Sequence, residues 1–255
     1  YKDKNSALRF NNTVDPSASQ SVILTGNVDL TGTGVIGIGK DNTEKGASAQ
    51  TFTGTFDGGS YTVTLDIGTT YGAGISGSDN AAGQLYAKRS DQQDTHYSLA
   101  LIPFAKNVTV QNLTIKGNVH CKIPKTVNQE ENETDVRYPA FASGVIGYAS
   151  ETTTFTNITV NAAVSVTEET EATEAKKLHA WQSGFLGRFE GTQLTYQKCT
   201  WGTNASLTDE RSTDNARMGG LAAEVMGGAE VTVKNCILSG TITSNARSNA
   251  RVGGL

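Results

Sequence analysis

The chain is short of the residues that most enzymes use for chemistry. Of 255 residues, 3 are histidine, 3 cysteine, 2 tryptophan, 2 methionine and 4 proline, and only 18% are charged. Cys121, Cys199 and Cys236 stand alone, which excludes a disulfide framework and a zinc site built on CxxC pairs. There is no basic excess: 21 Lys and Arg face 25 Asp and Glu, for a net charge of −4 and a pI of about 5.4. Nucleic acid therefore drops out as a partner, since its binding needs a positive face. No apolar run approaches the roughly 18 residues of a membrane span. His96, His120 and His179 fall at unrelated positions, and no metal triad is expected from them.

Glycine is abundant instead, at 28 residues, beside much Thr, Asn, Ser and Val. Thr and Val favour extended strands, while Gly and Asn favour tight turns with positive φ. The mixture points to an all-β chain of many short strands.

A repeat organises it. Four twelve-residue stretches align, from Val108 (VTVQNLTIKGNV), Thr153 (TTFTNITVNAAV), Leu194 (LTYQKCTWGTNA) and Val231 (VTVKNCILSGTI). A short apolar segment precedes each, and Leu101, Val145, Phe185, Leu221 and Leu255 are equivalent, at spacings of 44, 40, 36 and 34. With the blocks taken as gapless, all variation falls between the end of one block and the next apolar start. This is the pattern of a solenoid with insertions at one corner, hence a parallel β-helix of about 34–44 residues per rung. A helical solenoid is excluded by Asn, Gly and β-branched residues inside the blocks and by an apolar period of two. A β-propeller would need four strands in as few as 34 residues.

The columns predict inward faces at Val108/Thr153/Leu194/Val231, Val110/Phe155/Tyr196/Val233, Leu113/Ile158/Cys199/Cys236, Ile115/Val160/Trp201/Leu238 and Val119/Val164/Ala205/Ile242. Between them Asn112, Asn157, Lys198 and Asn235 mark a bend, where Asn tolerates left-handed backbone and can bond from rung to rung. Asn112, Asn157 and Asn235 thus form a structural ladder. Cys199 and Cys236 are read as core fillers in place of Leu or Ile, with a stacked disulfide or metal pair as the alternative.

Upstream, Val22–Leu30 (VILTGNVDL) leads to Phe52–Leu65 (FTGTFDGGSYTVTL). This pairing, with the later Gly-Gly-Leu and Asn-Cys phrases, resembles bacterial adhesin-like β-helix surface proteins of gut anaerobes, which carry GLUG-type and related repeats. The resemblance runs from about Val22 to Leu255. It implies a right-handed β-helix on a secreted or wall-anchored protein. Residues 1–20 match no repeat and are expected to shield the N-terminal edge, with residues 21–255 forming one β-helix domain. Gly253-Gly254-Leu255 opens a further repeat, so the expectation is part of a longer chain, cut at its C-terminal end and anchored elsewhere.

Candidate sites lie in the insertions, placed at Cys121–Ala142, Thr167–Gln182, Leu207–Met218 and Thr243–Val252. Stacked rungs must stack their insertions into one wall. The first is acidic at Glu130, Glu131, Glu133 and Asp135, the second at Glu168, Glu169, Glu171 and Glu174, and the third at Asp209, Glu210 and Asp214. Such a wall is either a solvated edge or a ligand face. Tyr138, Phe141 and Trp181 are either sugar-stacking platforms or covers over the core. The ligand-binding candidates are therefore Glu130, Glu131, Asp135, Tyr138, Glu168, Glu169 and Trp181. No cofactor is required; the acids offer only a weak case for Ca²⁺, since their spacing matches no EF-hand. Asp57, in a Phe-Asp-Gly-Gly turn, reads as an Asx turn rather than a catalytic acid. The expected function is a non-catalytic adhesin-like or stalk domain, extracellular or at a cell surface, with a host glycan or protein as partner. The alternative is a carbohydrate-active β-helix enzyme, a polysaccharide lyase or glycoside hydrolase.

Overall fold

The computed structural model describes residues 20–32, 51–70, 87–88, 95–123, 139–168, 179–211, 216–245 and 250–254. Every regular element among them is a β-strand. The strands fall into successive rungs. The first holds β1 (Gln20–Ile23) and β2 (Val28–Asp29), and the second β3 (Phe52–Thr70). A short β4 (Ala87–Lys88) precedes β5 (Thr95–Leu99) and β6 (Ile102–Ile123), followed by β7 (Pro139–Ser143) and β8 (Ile146–Glu168). The next rung is broken into β9 (His179–Ser183), β10 (Leu186–Gln197), β11 (Thr200–Trp201) and β12 (Ser206–Asp209). The last described rung has β13 (Ala216–Gly219), β14 (Ala222–Val225), β15 (Glu230–Lys234), β16 (Ile237–Leu238) and β17 (Thr241–Ser244), and β18 (Arg251–Gly253) follows it.

Each rung pairs in parallel with the next, over a twelve-stranded and a six-stranded sheet. Among the described residues, only β4 and β5 pair antiparallel. The register is long and regular: β6 against β8 pairs Val108 with Thr153, Leu113 with Ile158 and Val119 with Val164. Alternate residues point into one core shared by both sheets, with Leu99, Ala142, Ala180 and Met218 from the smaller sheet and the bulk from the larger. Within it Phe155 and Tyr196 stack at 5.0 Å and 10°, and the Tyr196 hydroxyl donates to Leu221 O at 2.9 Å. Burial of that ring holds the phenol well above its usual pKa.

Three expectations change. The four blocks are not all gapless, because Trp201 pairs with Val160 but Leu207, not Ala205, pairs with Val164. The fifth rung therefore carries two extra residues, in the turn at Thr203 and Asn204. The fourth block's inward positions are also only half covered: Val231 and Val233 are 47% and 39% exposed, because no further described rung lies over them.

Insertions, moreover, are not confined to one corner. Between the columns Lys106/Ser150/Glu190 and Val108/Thr153/Leu194 lie one residue (Asn107), then two (Glu151, Thr152), then three (Gly191 to Gln193). Asn107 and Glu151 have φ of 49° and 63°. A bulge with positive φ absorbs an added residue outward without disturbing the register on either side. Asn107 donates to the Glu151 carboxylate, and Lys106 pairs with it at 2.6 Å. That Lys106 bond, more than any other contact, lowers the Glu151 pKa.

Candidate functional site

The insertions leave and rejoin the stack along lines set by the register. On the leaving side Ile123 pairs with Glu168, and Val166 with Asp209. On the returning side Pro139 pairs with His179, Ala180 with Ala216, and Arg217 with Arg251. The strand ends that flank residues 124–138, 169–178, 212–215 and 246–249 thus all lie on one edge.

From that edge β7, β9 and β13 run into a sharp bend before β8, β10 and β14. The bend needs glycine because the rungs approach closely: a Cβ on Gly144 would sit 2.6 Å from Gly184 O, and one on Gly184 would sit 2.7 Å from Gly220 O. Ser183 holds the turn, its hydroxyl accepting from the N–H groups of Phe185 and Leu186 at 3.1 Å each. Across the bend two columns meet. Phe104, Tyr148, Arg188 and Glu224 stack on one side, and Phe141, Trp181 and Arg217 on the other.

Their apolar members form a second cluster apart from the main core, Phe104, Phe141, Tyr148 and Trp181. Ring centroids lie 5.3 Å apart for Phe141 and Trp181 and 5.9 Å for Phe141 and Tyr148. Arg188 and Arg217 pack on the Trp181 ring at 5.7 and 5.2 Å. Each guanidinium is matched by carboxylates: Arg188 to Glu190 and, at 3.5 Å, to Glu224, and Arg217 to Glu224. The Tyr148 hydroxyl donates to Glu190 at 2.7 Å. Two cations and two anions balance, and planar guanidinium groups stack on the indole as they do in cation–π pairs. The result is a rigid, charge-neutral base beside the insertion anchors.

Of the residues singled out in the sequence, this base includes Trp181. At 4% exposure, with Phe141 and two arginines packed on its ring, it offers no open platform. A sugar would have to displace an arginine to stack there. Glu168 ends β8 opposite Ile123. Glu130, Glu131, Asp135, Tyr138 and Glu169 lie outside the described residues. Asp209 is a correction: it is not part of a solvated acidic loop but wholly buried in β12, with Arg211 folded back onto it at 2.6 Å. The aromatic–arginine columns escaped the sequence reading, although Tyr148, Arg188 and Glu224 follow three residues after the aligned Val145, Phe185 and Leu221.

The bend ladder is geometrically plain. Asn112, Asn157, Lys198 and Asn235 have φ of 51°, 54°, 54° and 55°. Asn157 Nδ2 donates to Asn112 Oδ1 at 3.0 Å, and Asn112 Nδ2 to Asp57 Oδ1 at 3.2 Å. Asp57 heads the ladder and closes an Asx turn, accepting the Gly59 N–H at 2.9 Å. That backbone bond is the main reason its pKa is lowered.

His120 bridges Ser165 at 2.8 Å and Thr167 at 3.3 Å on an outward column. Among the described residues no three His, Cys, Asp or Glu side chains converge as a metal site. Compared with known proteins, the chain matches no family model, no curated protein and no solved structure.

Proposed function

We propose that the chain is a right-handed parallel β-helix segment of a secreted or cell-surface bacterial protein, acting without catalysis as an adhesin-like or stalk element. Its partner is a host glycan or host protein, engaged along the row of insertions. The observation that carries this reading is the stacking, along one edge, of the strand ends from which the insertions leave and to which they return. The neutral aromatic–arginine base keeps that edge stiff. The strand faces add rows of hydroxyl and amide groups, such as Ser21, Thr55, Thr109, Thr154, Thr195 and Thr232 in one outward column.

The test compares the chain with a variant whose 124–138 and 169–178 segments are replaced by short Gly-Ser connectors. Both are applied to glycan and host-protein arrays and incubated with a polysaccharide panel. The reading expects binding by the full chain, its loss in the variant at unchanged melting temperature, and intact polysaccharides. Depolymerisation by the full chain, or undiminished binding by the variant, overturns it.

A further inference from the structure

Two of the three cysteines occupy one inward column. Leu113 pairs with Ile158, and the same position in the next two rungs is held by Cys199 and Cys236. Thr200 is in register with Ile237, and the Ile237 N–H donates to Cys199 O at 2.9 Å. Cys199, between β10 and β11, and Cys236, between β15 and β16, are therefore neighbours on adjacent rungs, about 4.8 Å apart at Cα if the strand spacing holds through the bend. That spacing lies within the roughly 4.4–6.8 Å that disulfides span. Both side chains lie on the core side of this column. Their environments differ: Cys199 is buried, with its thiol donating to Gln197 O at 3.5 Å and Phe155 O at 3.6 Å. Cys236 is half-buried on the last described rung and donates to Lys234 O at 3.4 Å.

We propose that Cys199 and Cys236 are a reversible redox pair that closes a disulfide between two rungs when a small-molecule disulfide reaches Cys236. The Cys236 thiolate attacks one sulfur of the oxidant and expels one thiolate, leaving a mixed disulfide. The Cys199 thiolate then attacks the Cys236 sulfur, forming the inter-rung bond and expelling the second thiol. The protein loses two hydrogens, and the oxidant is reduced to two thiols. Burial pushes the Cys199 thiol up to about 12, so ring closure is the slow step, and its rate follows the thiolate fraction, rising about tenfold per pH unit below that value. The bond clamps β15–β17 to β10–β12, where Val231, Val233 and Ile237 are least covered.

The test treats the folded chain with oxidised glutathione at pH 7, 8 and 9, blocks remaining thiols, and reads intact mass and non-reducing peptide maps. The proposal expects the loss of two hydrogens, joined Cys199 and Cys236 peptides, and Cys121 blocked only after unfolding. It also expects closure to be roughly tenfold faster at each step in pH and the oxidised form to melt higher. Cys199→Ser must stop at one glutathione on Cys236, and Cys236→Ser must take none while folded. A wild-type adduct on Cys236 that does not resolve even at pH 9, a bridge to Cys121, or both thiols intact at pH 9 long after the hours that exchange takes overturns the proposal. The wild-type arm needs no substitution, so the outcome stands even where a variant fails to fold.

Discussion

Asp209 and Arg211 give the sharpest test of how the insertion edge is built. Both side chains are 0% exposed. The carboxylate accepts three N–H groups of Arg211, from its backbone N at 3.0 Å, Nε at 2.8 Å and Nη2 at 2.6 Å. Asp209 is stacked between Val166 and Ser244, and Cys121 lies near enough that both charges act on its thiol. Asp209→Asn keeps the shape and removes the charge, taking from the buried guanidinium the carboxylate it bonds. Such a loss costs about 3–5 kcal/mol, which for a chain of this size lowers the melting temperature by roughly 6–20 °C. Arg211→Met leaves the carboxylate stranded at a similar cost. Asp209→Leu with Arg211→Met removes both charges, and the double variant is expected within about 1 kcal/mol of the parent or above it. Urea unfolding read by tryptophan fluorescence is suitable, because Trp181 and Trp201 are buried in the same rung. Single substitutions that each cost under about 1 kcal/mol, or a double variant as unstable as their sum, would refute the buried pair as the seal of this edge.

At the bend ladder, Asn157→Ala loses a side-chain hydrogen bond and places a Cβ without local support at φ 54°. We expect a cost of about 2 kcal/mol, with Asn157→Gly milder because glycine removes the strain. Chemical denaturation checks the order, and glycine at or above alanine in cost rejects it. Asp57 contributes one part of the pH dependence. Its folded pKa is lowered below the unfolded value, so its stabilisation is present above about pH 4 and is lost as pH falls through the folded value. The gap in urea midpoint between the parent and Asp57→Asn should be widest near neutrality and shrink on acidification; a constant gap contradicts the assignment.

The strand columns could be read from the sequence because inward alternation and a left-handed bend each restrict residue type. Only small or apolar side chains fit the Val110/Phe155/Tyr196 interior, and only Asn, Gly and a few others sit easily at φ near 54°. The five-residue strands β7 and β9 could not be read. One of their faces packs on the main core at Ala142 and Ala180 and the other on the aromatic cluster at Phe141 and Trp181, so no polar alternation marks them. The insertion bounds Cys121–Ala142 and Thr167–Gln182 take in all but the last residue of each strand. The staircase at Asn107, Glu151 and Gly191 was hidden for another reason: a bulge adds residues outside the pairing, and pairing is what aligns repeats. Asp209 looked like loop because a buried acid has no signature until its arginine is located.

Parallel in-register stacking also explains where the acids went. A charge placed on a strand face has its column neighbour only about 4.8 Å away. Two like charges at that distance repel by up to about 1 kcal/mol even in water. The described columns respect this: Asp57 stacks with Ile23 and Gln111, Lys116 with Thr64 and Asn161, and Arg188 with Tyr148 and Glu224. The exception, Arg217 with Arg251, has Glu224 paired to Arg217. Like charge is therefore disfavoured on the strand faces, and Thr is left there. The sequence can be made to break the rule. Thr109→Glu and Thr154→Glu, on directly paired outward positions, should together cost up to about 1 kcal/mol more than their separate costs at low ionic strength. That excess should largely vanish near 1 M salt, where charges are screened beyond about 3 Å. Strict additivity at low salt would mean that the faces tolerate stacked charge, and the placement of the acids would then need another cause.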